Sequence, residues 1–62
     1  MSERDVREVL KRFRKEQWDE LPGKGSHVVF RKAGKPTISV PTSKKELKKG
    51  TYEDLARKAG WR

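Results

Sequence analysis

Apolar side chains recur at Val6, Val9, Leu10 and Phe13, the i, i+3, i+4, i+7 spacing that lines one face of an α-helix. Ser2 with Asp5 resembles a capping box ahead of that stripe. Extending the period would bring polar Gln17 onto the stripe and leave Trp18 off it, so the helix is predicted to end between residues 15 and 17. Trp18 to Leu21 reads as a short first strand, closed by Pro22-Gly23, which does not readily continue a ladder. His27 to Arg31 and Thr37 to Val40 are rich in β-branched and aromatic residues and flank Lys32-Ala33-Gly34-Lys35-Pro36, which together read as a hairpin.

The hairpin register follows from alternation. A five-residue loop sets Phe30 opposite Ile38 and Val28 opposite Val40, whereas a four-residue loop would oppose apolar and polar residues on each face. His27, Val29 and Arg31 then share the other face with Thr37 and Ser39. Pro41 ends the strand, and Ser43 to Lys49 is predicted to be a loop or a single turn around Leu47. Thr51, after Gly50, is the expected N-cap of a second helix whose stripe is Tyr52, Leu55, Ala56 and Ala59, with Gly60 as its C-cap.

The order α-β-β-β-α contains two amphipathic helices that each need a cover. An α+β fold with both helices on one face of a three-stranded antiparallel sheet satisfies both and leaves the opposite sheet face, with His27, open. Residues 1–62 are read as one domain. With 31% apolar residues the core is small, and a chain of this size buries only about 60% of the surface its unfolded form exposes. There is no cysteine to supply a disulfide, and His27 is the only nitrogen or sulfur ligand of the usual kind, which excludes a structural zinc. No apolar run exceeds three residues and the N-terminus has no signal segment, so the expected location is the cytoplasm, without membrane association.

Charge separates function classes further than composition does. The net charge is +8, and it is not spread evenly: residues 1–20 carry six basic and six acidic side chains, residues 21–50 carry eight and one, and residues 51–62 carry three and two. The excess belongs to Lys24, Arg31, Lys32, Lys35, Lys44, Lys45, Lys48 and Lys49. A field concentrated in this way suits a polyanion, with a solvated lysine-rich surface as the plain alternative. A membrane-surface helix fits less well, because the excess lies outside the amphipathic N-terminal segment.

Several chemistries are excluded by spacing. Gly23-Lys24-Gly25-Ser26-His27 lacks the phosphate-loop pattern and leads into a strand, so no nucleotide or other small-molecule ligand is expected. Glu46 stands alone among lysines, which leaves two-metal hydrolysis without ligands, and Ser26 and His27 alternate to opposite faces, which disfavours a serine triad. What remains is one imidazole amid cations. Neighbouring positive charge disfavours the imidazolium form, leaving a base suited to RNA: it can deprotonate the 2′-hydroxyl beside the scissile phosphate while cations stabilise the phosphorane, with no metal or cofactor. A lone histidine is also commonly incidental.

The ordered series Lys24-Gly25-Ser26-His27, Phe30-Arg31-Lys32, Gly34-Lys35-Pro36, Val40-Pro41, Lys44-Lys45-Glu46-Leu47, Lys49-Gly50-Thr51 and Ala59-Gly60 resembles the HicA toxins of bacterial and archaeal toxin–antitoxin systems. The resemblance implies a double-stranded-RNA-binding-domain-like fold, translation-independent cleavage of single-stranded mRNA, catalysis by His27 and neutralisation by a HicB-type antitoxin. Three positions depart from the common pattern: Val28 stands where many members have a second histidine, Thr42 where they have a histidine or other polar residue, and Gln17 where they have glycine. Without a second imidazole, the proton for the leaving oxygen falls to Lys24, another lysine, water or His27 in a second step. The reading is therefore an endoribonuclease with His27 as acid/base, Lys24 and Arg31 nearest the phosphate, and Gly25, Ser26, Lys35, Lys44, Lys45, Lys48 and Lys49 contacting RNA. A non-catalytic RNA-binding module of the same fold, and a domain whose basic face meets an acidic protein, are the alternatives.

Overall fold

A computed structural model describes residues 3–61. Its elements are α1 (Val6–Lys15), β1 (Asp19–Pro22), β2 (His27–Arg31), β3 (Ile38–Pro41) and α2 (Lys49–Ala59). The strands form one antiparallel sheet in the order β1-β2-β3. The hairpin register is the one alternation demands, with Val28 opposite Val40 and Phe30 opposite Ile38. Phe30, Ile38 and Val40 are buried beneath Val6, Val9 and Phe13 of α1 and Tyr52, Leu55, Ala56 and Ala59 of α2, so both helices cover one sheet face. The α+β arrangement read from the sequence is the one observed.

Phe13 sits at the centre of the core. Its ring stacks on Phe30 at 4.3 Å between centroids, meets Trp18 edge-on at 5.1 Å and touches Trp61 at 4.8 Å. Such aromatic pairs add about 0.5–1.5 kcal/mol each beyond the area they bury.

Both helices end in the same way. After α1, Gln17 takes the left-handed conformation at φ 63°, Gln17 N–H donates to Arg14 O and Trp18 N–H donates to Phe13 O. After α2, Gly60 takes φ 83°, its N–H donates to Arg57 O and Trp61 N–H donates to Ala56 O. Each is a Schellman closure that aims the following tryptophan back at the core. The two indole N–H groups converge on Glu16 Oε1, Trp61 at 2.9 Å and Trp18 at 3.3 Å, while Arg12 holds the other carboxylate oxygen at 3.2 Å. Partial burial raises the Glu16 pKa, but the hydrogen bonds from Trp61, Arg12 and Trp18 and the Arg12 charge together outweigh it and hold the carboxyl below the ordinary glutamate range. Glu20 is likewise held low by its hydrogen bond to Arg14, which ties β1 to α1.

Boundaries differ from the sequence reading at four places. The N-cap of α1 is Asp5, whose carboxylate accepts from Arg7 N–H and Glu8 N–H; Ser2 lies outside the described residues. β1 begins at Asp19 because Trp18 closes α1, and it runs through Pro22, which an edge strand tolerates. β3 begins at Ile38, with Thr37 outside it, and ends at Pro41. The segment after β3 is pinned to the chain ahead of α1, Val6 N–H donating to Lys45 O and Leu47 N–H to Arg4 O, with Leu47 buried. That anchoring turns the chain into α2 at Lys49, so Lys48 rather than Thr51 is the N-cap, and it makes no side-chain cap bond.

Candidate functional site

Direction along the sheet decides which cations meet His27. β2 runs from His27 to Arg31, and its antiparallel neighbours place Pro22 and Pro41 at the His27 end and Asp19 and Ile38 at the Arg31 end. α1 enters β1 after Lys15, so its C-terminus lies at the Arg31 end and its N-terminus, bonded to Lys45, at the His27 end. α2 begins after the segment that follows Pro41 and finishes at Gly60 beside Lys35 of the β2–β3 loop. Both helix N-termini, each carrying about half a positive charge, therefore point to the end of the sheet that holds His27.

His27 opens β2, opposite Pro41, with its ring exposed on the uncovered face. Its Nδ1 lies 3.2 Å from the carbonyl oxygen of Lys24. A carbonyl can only accept, so Nδ1 is the donor in this contact, and in the neutral form of the ring Nε2 is then the acceptor. The turn that makes the contact is tightly held. Gly25 takes φ 59°, Gly23 N–H donates to His27 O at 3.0 Å, and Ser26 O accepts from both Thr42 N–H at 2.6 Å and Thr42 Oγ1 at 2.7 Å. A Cβ on Gly23 would come to 3.0 Å from His27 O and 3.1 Å from Val29 Cγ2, so glycine suits this close approach.

Lys24, Gly25 and Ser26 are exposed in this turn, and Lys44, Lys45, Lys48 and Lys49 are exposed on the segment that runs from the same end of the sheet into α2. The first turn of α2 contains no acidic residue. Glu46, among these lysines, lies 3.9 Å from Arg4.

The other basic residues lie elsewhere. Arg31 shares the open face with His27 but closes β2, about 13 Å along the strand from it, and pairs across with Asp19. The Lys35 ammonium stands at the C-terminus of α2, where a Cβ on Gly60 would come within 2.6 Å of it. Lys32, also in the β2–β3 loop, donates to Glu16 O at the end of α1 at 3.1 Å and lies 5.7 Å from the Trp18 ring centroid. These two lysines face negative helix ends, whereas Lys48 and Lys49 open α2 at its positive end. The sequence reading grouped all of them by proximity in the chain. Thr42, noted there only as a departure from the HicA pattern, proves to hold the His27 turn.

Val28 is half-buried against the core, so a histidine at that position would lie across the sheet from His27. Leu21 and Val29 pair on the open face, and Leu21 is the one large apolar side chain of the described residues that is clearly exposed, at 39%. Among the described residues no three His, Cys, Asp or Glu side chains group as metal ligands, and no helix is long and apolar enough to cross a membrane.

Comparison with curated proteins and with solved structures finds no match, so the likeness to a double-stranded-RNA-binding domain rests on the sequence resemblance alone. A family model, the HicA toxin of bacterial toxin–antitoxin systems, matches residues 6–61, from the first residue of α1 to the tryptophan that closes α2. With the match spanning both helices and the whole sheet, the chain belongs to the HicA toxin family.

Proposed function

We propose that this toxin is a metal-independent endoribonuclease that cuts single-stranded mRNA, with His27 as its acid/base. The observation that carries the reading is the exposed imidazole of His27, oriented by the Lys24 carbonyl at the end of the sheet where the lysine-rich segment enters α2. Lys24, Lys44, Lys45, Lys48 and Lys49 lie at this end, as does the His27 turn. Of these lysines, Lys48 and Lys49 stand at the N-cap and first residue of α2, where the helix dipole disfavours positive charge and a bound phosphate would relieve it.

In the proposed reaction Nε2 of His27 accepts the proton of a 2′-hydroxyl, and the resulting oxyanion attacks the adjacent phosphorus. The pentavalent phosphorane collapses by breaking the bond to the 5′-oxygen, leaving a 2′,3′-cyclic phosphate. The departing oxygen takes its proton from Lys24, another lysine, water or the His27 imidazolium. Lysine ammonium groups stabilise the extra negative charge of the phosphorane. Arg31 contacts RNA further along the strand, and Lys35 belongs to the α2 terminus first.

The partner in this reading is an acidic HicB-type antitoxin that covers the open face. The Leu21 and Val29 pair gives such a lid an apolar centre beside His27, and complementary charge speeds encounter. A stable lid would bury at least about 1,200 Å² in total. Incubation of the purified chain with a single-stranded transcript in excess chelator tests the chemistry: fragments with cyclic phosphate ends are expected, and loss of cutting on chelation contradicts it. Co-expression of the antitoxin should restore growth, and a tight complex that leaves His27 open to RNA would contradict inhibition by covering.

A further inference from the structure

We infer that Thr42 is a positioning residue for His27, acting through the carbonyl of Ser26. Two donors of one residue, the Thr42 backbone N–H and Oγ1, meet that single carbonyl oxygen at 2.6 and 2.7 Å. Ser26 is the residue immediately before His27, so its peptide plane sets the direction in which β2 begins. The far side of the same turn is closed by His27 itself, Nδ1 lying 3.2 Å from Lys24 O and the His27 carbonyl accepting from Gly23 N–H. Lys24 to Ser26 are exposed and Gly25 is left-handed, so the turn has no apolar packing of its own to hold it. The clamp from Thr42, the residue that follows β3, replaces that packing. With the Thr42 hydroxyl engaged, the Lys24 carbonyl stays within reach of Nδ1, and the proton remains there.

Thr42 does not touch the reacting atoms in this arrangement. Its effect on catalysis rests on the ribonuclease reading above, but its effect on the imidazole does not. Thr42→Val keeps the branched shape and the backbone donor and removes only the hydroxyl; Thr42→Ser restores it.

The experiment is nitrogen NMR of the His27 ring in the free protein, at a pH where the ring is neutral, alongside steady-state cleavage kinetics on a transcript. Wild type and Thr42→Ser should show a predominant Nδ1–H tautomer. Thr42→Val should shift the ring toward Nε2–H and lower kcat about three- to tenfold, the range one lost neutral hydrogen bond gives, with KM within about twofold of wild type. A predominant Nε2–H form in wild type overturns the inference even if Thr42→Val does not fold. So does an unchanged tautomer ratio in folded Thr42→Val, whether or not kcat falls, because a merely structural role lowers stability without moving the proton. If no form of the protein cuts RNA the ribonuclease reading fails, and the tautomer comparison still decides the role of Thr42.

Discussion

Trp18 and Trp61 donate their indole N–H groups to one carboxylate oxygen, Glu16 Oε1, at 3.3 and 2.9 Å. Each tryptophan follows the left-handed residue that closes a helix, and each ring touches Phe13, so a single acid ties both helix ends to the centre of the core. In a chain with so little apolar area this junction holds the α1–α2 layer together at the end remote from His27.

Acid should therefore weaken the fold at this junction. The Glu16 pKa is lower in the folded state than in the unfolded chain, so its contribution is fully present above the ordinary glutamate range, near pH 4.3, and is lost as pH falls through the lowered folded value. Glu16→Gln keeps an acceptor for the indoles but removes the titration. Thermal melts by circular dichroism between about pH 6 and pH 3 should show a smaller fall for Glu16→Gln than for wild type. Identical slopes would place the acid sensitivity elsewhere, Glu20 and Asp54 being the other carboxylates held low.

Gln17 carries a conformational cost that glycine would not. A left-handed residue with a side chain costs about 1 kcal/mol or more, offset in part by the greater freedom glycine has when unfolded. Gln17→Gly should raise stability by about 0.5–1 kcal/mol, and the β-branched Gln17→Val should lower it. Urea denaturation reads both through the midpoint at unchanged slope. A lower midpoint for Gln17→Gly would mean the residue gains more from its own contacts than it loses to strain.

The alternation of Phe30, Ile38, Val28 and Val40 was enough to set the hairpin register, because one residue of slip would have reversed every side chain. The helix stripes were legible for the same reason, and so was the C-terminal role of Gly60. The left-handed Gln17 was not, since nothing local favours that conformation in glutamine; it is imposed by the need to bring Trp18 onto Phe13. The start of α2 misled because Thr51 satisfies the local capping rule, while the burial of Leu47 and its pairing with residues ahead of α1 decide where the chain turns. Charge in sequence marked the basic middle but could not divide it. Lys32 and Lys35 are sorted from Lys44, Lys45, Lys48 and Lys49 only by the end of the sheet at which each one lies.

That sorting predicts different outcomes for two sets of lysine replacements. Replacing Lys44, Lys45, Lys48 and Lys49 together with glutamine should weaken RNA affinity across sequences and reduce the magnitude of the log–log salt slope by about 3, at about 0.7 per phosphate contact on a single strand. Stability should hold or rise, since unfavourable charge is removed from a helix N-terminus. Replacing Lys32 and Lys35 should do the reverse, lowering the melting temperature and leaving the salt slope almost unchanged. Equal slopes for the two sets, measured by fluorescence anisotropy, would refute the division.

The most direct measurement compares wild type with His27→Ala in single-turnover cleavage of one transcript, with RNA affinity measured on the same preparations. The imidazole is exposed and outside the core, so the variant should fold and bind RNA like wild type. Its cleavage should be slower by about 10²- to 10⁴-fold, the contribution of a positioned acid or base. Cutting by His27→Ala at the wild-type rate, or wild-type protein that binds the transcript and leaves it intact, would contradict catalysis by His27.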